Sequence, residues 1–595
     1  MDKQKTRCEI DINYTWDLTK IFKDNNEFYN SLEDLETKIN DILKFKGNIL
    51  KGSNNLLEYF RTSEKIERSL YKLYYYAHLN YDSDTTDKTS QELLGKIENL
   101  LKEYSKLSSY VIPELMLKDY SLIEKYIKEN KELEDYKFYL ENLYRYKEHT
   151  LGEKEEKILS ILSKSLDNAS EIYESLTDSD MTFGNITYNG KTFELTESNY
   201  TSYIKSNDRS LRKLVFERLF ETYSNNKYTI TNTFKGNIDT LTSIAKIRGY
   251  NSSIEASLFN DNIDISVYKN LIDTVNKNMD VIYKYYNLKK DILKLDDMHM
   301  YDIYVPMIDN LDKEYSFLDA KNIVIDALSI LGEDYINNLK KAFDEKWIDV
   351  YNNRGKRSGA YSSGFYDTNP YILLNYESKY HDISTLAHEL GHSMHTYYSC
   401  HNNSYINSSY QIFVAEVAST VNELILAKYL INNSKSKEEK LFILNELMEL
   451  FKSTIYRQTM FAEFELKMHS DYENGIILTN DYISDSYYNL VKKYFGDSVI
   501  IDDLIKYEWE RIPHFYYNFY VYKYAIGLSC ACKIYKNITC DNGLEDYLNF
   551  LKLGGSAYPF DELMVAKVDL NGDVIESAIT MFNEIMDEFI ELYNK

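Results

Sequence analysis

The 595-residue chain is short of the residues that interrupt helices, with five prolines and 20 glycines. That scarcity excludes a fold of many short strands joined by tight turns. Cysteine is also sparse: Cys8, Cys400, Cys530, Cys532 and Cys540 are odd in number, and no C-x-x-C pair occurs. A disulfide scaffold and a zinc knuckle are thereby excluded, and a reducing, cytoplasmic setting is expected. Basic side chains are in deficit, 69 Lys plus Arg against 94 Asp plus Glu, for a net charge of −25. A nucleic-acid or anionic-membrane partner needs clustered cations, so neither is expected. No run of 18 apolar residues is present and the N-terminal "MDKQKTRCEIDINYTWDL" has no apolar core. Neither a membrane span nor a signal peptide is expected. Nothing points to an obligate protein partner.

What is present is core material, 44% hydrophobic residues beside 27% charged. The length exceeds a single hydrophobic core, so two or more lobes are expected. Segments such as "LEYFRTSEKIERSLYKLYYYAHLNY" and "EEKLFILNELMELFKSTIYRQTMFAEFELKMH" repeat apolar residues at three- and four-residue spacings. They read as amphipathic helices, and the fold class is predominantly α. Two places differ. "ITYNGKTFEL" joins two β-prone runs through Asn189-Gly190, the pair preferred in a type I′ hairpin. It marks the edge of an N-terminal helical lobe, 1–195, leaving 196–595 as a second domain. "SGAYSSGFYDTNPYILLNY" reads as a loop followed by a short buried strand from Tyr371.

Histidine occurs ten times, yet "LAHELGHSMH" holds three, His388, His392 and His395. Four residues on a helix turn ~400°, so His388 and His392 leave the same face one turn apart. This H-E-x-x-H arrangement is a usual holder of Zn2+. Glu389 lies ~100° round the axis from His388, placed to take a proton from water at the ion. His395 shares the face but lies ~10.5 Å along the axis from His388. Atoms bound to one Zn2+ at ~2.0–2.1 Å are only a few ångströms apart, so His395 is excluded as a third ligand. The metzincin pattern fails too, because His395 and Tyr398 stand where that motif has Gly and His.

The third ligand is expected from "QIFVAEVASTVNEL", an apolar helix whose two acids are Glu416 and Glu423. A carboxylate among Phe413, Val414, Ala415, Val417 and Ala418 is costly to bury unless a cation neutralises it. Glu423, seven residues on, or Asp382 is placed to hydrogen-bond a ligand imidazole. Two histidines, a glutamate base and a downstream glutamate ligand make a gluzincin, in which Zn2+ polarises the scissile carbonyl and Glu389 shuttles the proton. "RIPHFYYNFYVYKYAIG" offers donors for the carbonyl oxygen, His514 after Pro513 above all. Read as one helix, it would align Tyr516, Tyr520 and Tyr524. With 58 tyrosines in the chain, such a row alone carries little weight.

"TLAHELGHSMH", "FVAEVAS" and "RIPHFYYNFYVYKYAIG", in this order, resemble oligoendopeptidase F of the thimet-oligopeptidase-like gluzincins. "YTWDLTKIF", "DRSLRKLVFERLFETY", "HMYDIYVP" and "GKRSGAYSSGFYDTNPYILLNY" extend the resemblance over nearly the whole chain. It implies two helical lobes flanking a deep substrate channel, with a zincin core and a small β element. One Zn2+ per chain would be held by His388, His392 and Glu416, with Glu389 as catalytic glutamate and His514 as transition-state stabiliser. Short unstructured oligopeptides are the implied substrates, cut at internal bonds. Related enzymes have a tyrosine five residues after that histidine, where this chain has Phe519. A one-residue shift gives the role to Tyr520, with Tyr524 as second choice. The Gly359-Ala360 loop and the strand that follows it resemble the family's edge that pairs with substrate backbone.

Overall fold

A computed structural model describes residues 4–309, 313–540 and 542–595. The chain is helical almost throughout, with two small sheets. The elements that bear on function are, in chain order, helix α1 (Ser53–Ser83), strands β1 (Asn185–Tyr188) and β2 (Lys191–Glu194), and helix α2 (Arg209–Ile247). Strands β3 (Ile348–Asp349), β4 (Tyr361–Ser363) and β5 (Tyr371–Leu373) follow. Helices α3 (Tyr380–Asn402), α4 (Ile412–Asn433), α5 (Gln458–Glu473) and α6 (Tyr522–Cys540) carry the remaining groups. None of the described helices is long and apolar enough to cross a membrane.

Contacts divide the chain into two compact units, each assembled from separated segments. The first is Met1–Lys147, Asp312–Leu430 and Ile534–Val568; the second is Glu148–Leu311, Ile431–Lys533 and Asp569–Lys595. The expected division at 195 does not coincide with these units, since Leu195 lies inside the second. The hairpin is there: β1 and β2 pair antiparallel, and Asn189 and Gly190 have φ of 48° and 75°, the signs a type I′ turn requires. The hairpin lies within the second of these units.

In the first unit, β5 is the central strand, parallel to β3 and antiparallel to β4. Tyr371, Ile372 and Leu373 are fully buried, as an apolar run covered on both faces should be. Strand β4 is the sheet's edge. Helix α3 buries Ile383, Leu386, Leu390 and Met394 completely. Burying four such side chains contributes on the order of 6–12 kcal/mol before entropy, and it fixes which way the opposite face points.

In the second unit, two stretches far apart in sequence meet. Asp302 of "HMYDIYVP" is fully buried and accepts hydrogen bonds from Arg212 Nη2 at 2.6 Å, Arg209 Nη2 at 2.8 Å and its own turn's His299 N–H at 3.0 Å. Arg209 and Arg212 open α2 in "DRSLRKLVF". A buried carboxylate with this many charged donors is satisfied, so the pair locks the turn to the start of α2.

Candidate metal centre and catalytic groups

Asp382, in the first turn of α3, accepts the backbone N–H groups of Lys379 at 2.7 Å and Glu377 at 3.0 Å. With the apolar face of α3 buried, His388 and His392 project from the other side, and their Nε2 atoms are 3.1 Å apart. Helix α4 crosses α3 at Gly391. A Cβ there would lie 2.5 Å from Ser419 Cα and 2.8 Å from the Ala418 oxygen, so only glycine permits the approach. Asn422, buried, donates to the Ala387 carbonyl at 3.1 Å and ties the crossing.

The crossing carries Glu416 to the imidazoles. Its Oε2 is 3.5 Å from His388 Nε2 and 3.8 Å from His392 Nε2. Donors bound tetrahedrally at 2.0–2.1 Å would stand ~3.4 Å from one another. The three observed separations bracket that value, so the donor set fits one small cation. Glu423 Oε1 lies 3.1 Å from His388 Nδ1 and holds the ring with Nε2 turned to the cluster. Of the two acids considered for that contact it is therefore Glu423, Asp382 being engaged at the helix start. One expectation is corrected: the Glu416 side chain is 43% exposed. Its desolvation does not demand a cation; its juxtaposition to two imidazoles is what suits one. His395 is fully buried, stacked 3.7 Å from the Tyr410 ring, with no hydrogen-bonding partner for either ring nitrogen among the described residues.

Glu389 is 6% exposed, and its Oε2 has no hydrogen-bonding partner among the described residues. Burial pushes its carboxyl up to about 7, against the pull of His388 and of a backbone hydrogen bond from Ser362. Ser362 belongs to the edge strand β4, and its hydroxyl meets that of Ser393, next to His392, at 2.8 Å. The exposed sheet edge is thus fastened beside the metal-type cluster.

His514 and its tyrosines belong to the second unit. Pro513 opens a single 3-10 turn, Pro513–Tyr516, as a proline at a helix start should. The one-helix reading fails beyond it, because Asn518 and Phe519 take φ of 50° and 56° and α6 begins only at Tyr522. That left-handed pair is held from α5: Glu465 Oε1 accepts the Phe519 N–H at 2.7 Å, and the His469 ring packs 4.5 Å from that of Phe519. Ser257 Oγ donates to the Asn518 carbonyl at 2.7 Å. The break turns Tyr516 into the unit, stacked on Tyr173 at 4.3 Å and bonded to Thr233 at 2.8 Å. Tyr524 Oη lies 3.3 Å from His514 Nε2, and the Tyr520 ring packs edge-on against Tyr524 at 5.3 Å. Burial holds the His514 imidazole below its ordinary pKa.

Comparison with known proteins decides the family. The profile of Peptidase family M3 matches residues 202–572, and that of Oligopeptidase F matches 114–183. The chain belongs to peptidase family M3. As an M3 member it is a metallopeptidase that acts on peptides. It is 38% identical to oligopeptidase PepF of Bacillus subtilis over 99% of this chain and 88% of that one. It is 36% identical to the group B oligopeptidase PepB of Streptococcus agalactiae, covering 99% and 98%. The solved oligoendopeptidase-F of Enterococcus faecium superposes with a TM-score of 0.73 at 32% identity, over 96% of this chain and 99% of that one. A candidate peptidase from Chlamydophila abortus reaches 0.94 at 38% identity, covering 99% and 100%.

Two residues of this M3 chain escape a reading from motifs. Gly391 is an unremarkable "x" of H-E-x-x-H until Ser419 is seen against it. Glu465 stands 54 residues from the Phe519 amide it binds. Nothing in "MFAEFELKM", which also holds Glu463 and Lys467, singles it out.

Proposed function

We propose that this metallopeptidase is a zinc-dependent endopeptidase of short, unstructured oligopeptides, with one Zn2+ per chain held by His388, His392 and Glu416. The observation that carries the reading is the set of three donor atoms 3.1, 3.5 and 3.8 Å apart, closed by an acid from a separate helix. A cation bound there supplies Lewis-acid polarisation of the scissile carbonyl and a lowered pKa for attacking water. Glu389 accepts that water's proton on its carboxylate and returns it to the leaving amine nitrogen. Its burial beside the cluster suits this carboxylate to general acid–base work. Glu423 keeps His388 oriented. His514 and Tyr520 donate to the carbonyl oxygen as negative charge develops, with Tyr524 the alternative hydroxyl. Its bond to His514 favours Tyr524 as the partner that orients the imidazole. All these groups fall within 196–595, the second domain expected from the sequence, which we take as the catalytic zinc metallopeptidase domain. Five unpaired cysteines suit a reducing, cytoplasmic setting.

The test joins elemental analysis to turnover of a quenched fluorescent peptide. Wild type and His395→Ala should each carry about one zinc, and Glu416→Ala should lose it. Glu389→Gln should keep zinc and lose ~10²–10⁴-fold in kcat, the range for general acid–base groups. Equal turnover by Glu389→Gln and wild type would remove Glu389 from the reaction. Zinc lost from His395→Ala but kept by Glu416→Ala would reverse the ligand assignment.

A further inference from the structure

Beside the edge strand, within the first unit, lies an open cleft of about 520 Å3. Ser362, Thr396 and Tyr410 are among its lining residues. Tyr410 Oη is 2.8 Å from Thr396 Oγ1 and 3.5 Å from the His392 carbonyl oxygen. Thr396 follows His392 by one helical turn, ~6 Å along the axis. An extended peptide advances ~3.3 Å per residue, so side chains within about three residues of a bond cleaved at the His388–His392–Glu416 cluster come within reach of this cleft.

The lining is aromatic. Tyr75 stacks on Phe365 at 5.7 Å, Tyr71 tilts against the same ring at 5.4 Å, and Phe365 meets Tyr405 edge-on at 5.8 Å. Among the described residues that line the cleft, one is charged: Glu67, from α1. Its Oε1 accepts from Ser63 Oγ at 2.7 Å and Tyr104 Oη at 3.2 Å, and its Oε2 accepts from Tyr405 Oη at 3.2 Å. No described cation lies within ion-pair distance of Glu67. The neighbouring Arg68 is committed elsewhere, with Nε 2.8 Å from Asp367 Oδ2 and its guanidinium over the Tyr366 ring. Cys400, also in the lining, is a neutral thiol, because burial pushes it up to about 12. A carboxylate held by hydroxyls in the lining of an aromatic cleft presents negative potential and π-faces together. That combination recognises an organic cation.

We propose that this cleft is a specificity pocket of the bound peptide, taking an ammonium or guanidinium group at Glu67. The inference rests on the oligopeptidase reading above. The cation has two sources, a Lys or Arg side chain near the cleaved bond or the peptide's free α-amino group.

Quenched fluorescent heptapeptides test it, each pair differing at one position in Lys against norleucine, and each made with a free or an acetylated N-terminus. Mass spectrometry fixes the bond cut. Wild type should favour Lys about tenfold in kcat/KM at one position within three residues of that bond, the discrimination of a charge-assisted hydrogen bond. If the α-amino group is the ligand, the tenfold preference appears instead between free and acetylated forms. Glu67→Gln should bring the ratio to about one. Tyr405→Phe, which removes a hydroxyl but keeps the carboxylate, should retain it and thereby separates charge recognition from packing. A wild-type ratio near one at every position and in both N-terminal forms overturns the pocket, as does an unchanged ratio in Glu67→Gln. Failure of wild type to cleave even the norleucine peptides overturns the peptidase reading itself.

Discussion

Adding one methyl group at Gly391 should cost this protein its metal more than its fold. The built Cβ meets Ser419 Cα at 2.5 Å, Ser419 N at 2.9 Å and the Ala418 oxygen at 2.8 Å, all backbone atoms. Comfortable carbon–carbon contact lies near 3.5–4.0 Å, so Gly391→Ala must part α3 and α4 by about 1 Å. Overpacking of this kind costs ~1–3 kcal/mol, tolerable for a chain with large cores. Glu416 precedes Ser419 by three residues on the same helix and moves with it. Its carboxylate, now 3.5 and 3.8 Å from the two Nε2 atoms, would recede by a further ~1 Å from the ~3.4 Å separation that shared coordination requires. Zinc affinity, read by competition with a chromophoric chelator, should fall at least about tenfold, since displacing even an outer partner of a ligand costs that much. Circular dichroism should show the helical content retained. Because the obstructing atoms are backbone, Ser419→Gly should not rescue the variant. Wild-type zinc affinity in Gly391→Ala, or full rescue by Ser419→Gly, would refute the reasoning.

Glu465 should make stability fall with pH. Burial raises its carboxyl to about 8 in the folded chain against 4.5 for the free group. The folded state holds a proton the unfolded state has released, so the stabilisation is full below about 4.5 and is lost as pH rises through 8. At 1.36 kcal/mol per pKa unit the ceiling is ~5 kcal/mol. His469 beside the same loop is held neutral by burial and adds no slope above pH 6.5. Glu465→Gln keeps an acceptor for the Phe519 N–H and removes the ionisation. Its melting temperature relative to wild type should therefore rise between pH 5 and pH 8.5, and a pH-independent difference would contradict the assignment. Asp302→Ala should destabilise the second unit by ~3–5 kcal/mol, because it strands the buried Arg212 guanidinium. Urea denaturation showing less than ~1 kcal/mol would mean that the pair contributes little.

The parts that were legible in the sequence are those whose geometry is set within a few residues. Scarce proline and glycine with 3.6-residue periodicity gave helices, Asn189-Gly190 gave the hairpin, and a four-residue spacing placed two imidazoles on one face. The 10.5 Å rise removed His395, and the structure puts that ring against Tyr410. The parts that were not legible depend on partners distant in the chain. The two compact units are interleaved from separated segments, which no local signal at 195 could reveal. The row Tyr516, Tyr520, Tyr524 looked continuous because neither Asn518 nor Phe519 is a glycine. Their left-handed conformation is sustained by a carboxylate on α5, at a cost that single-residue propensity would reject.

Gly391 and Glu465, one in each compact unit, act alike. Neither residue is among the proposed ligands or proton carriers. One acts by having no side chain at the point where two backbones meet, the other by accepting a backbone N–H that would otherwise be buried unpaired. The groups proposed for chemistry can be found from residue type and spacing, but within each unit their placement is set by backbone contacts. A motif search over other chains should therefore weigh a glycine inside H-E-x-x-H as evidence for a close-crossing ligand helix.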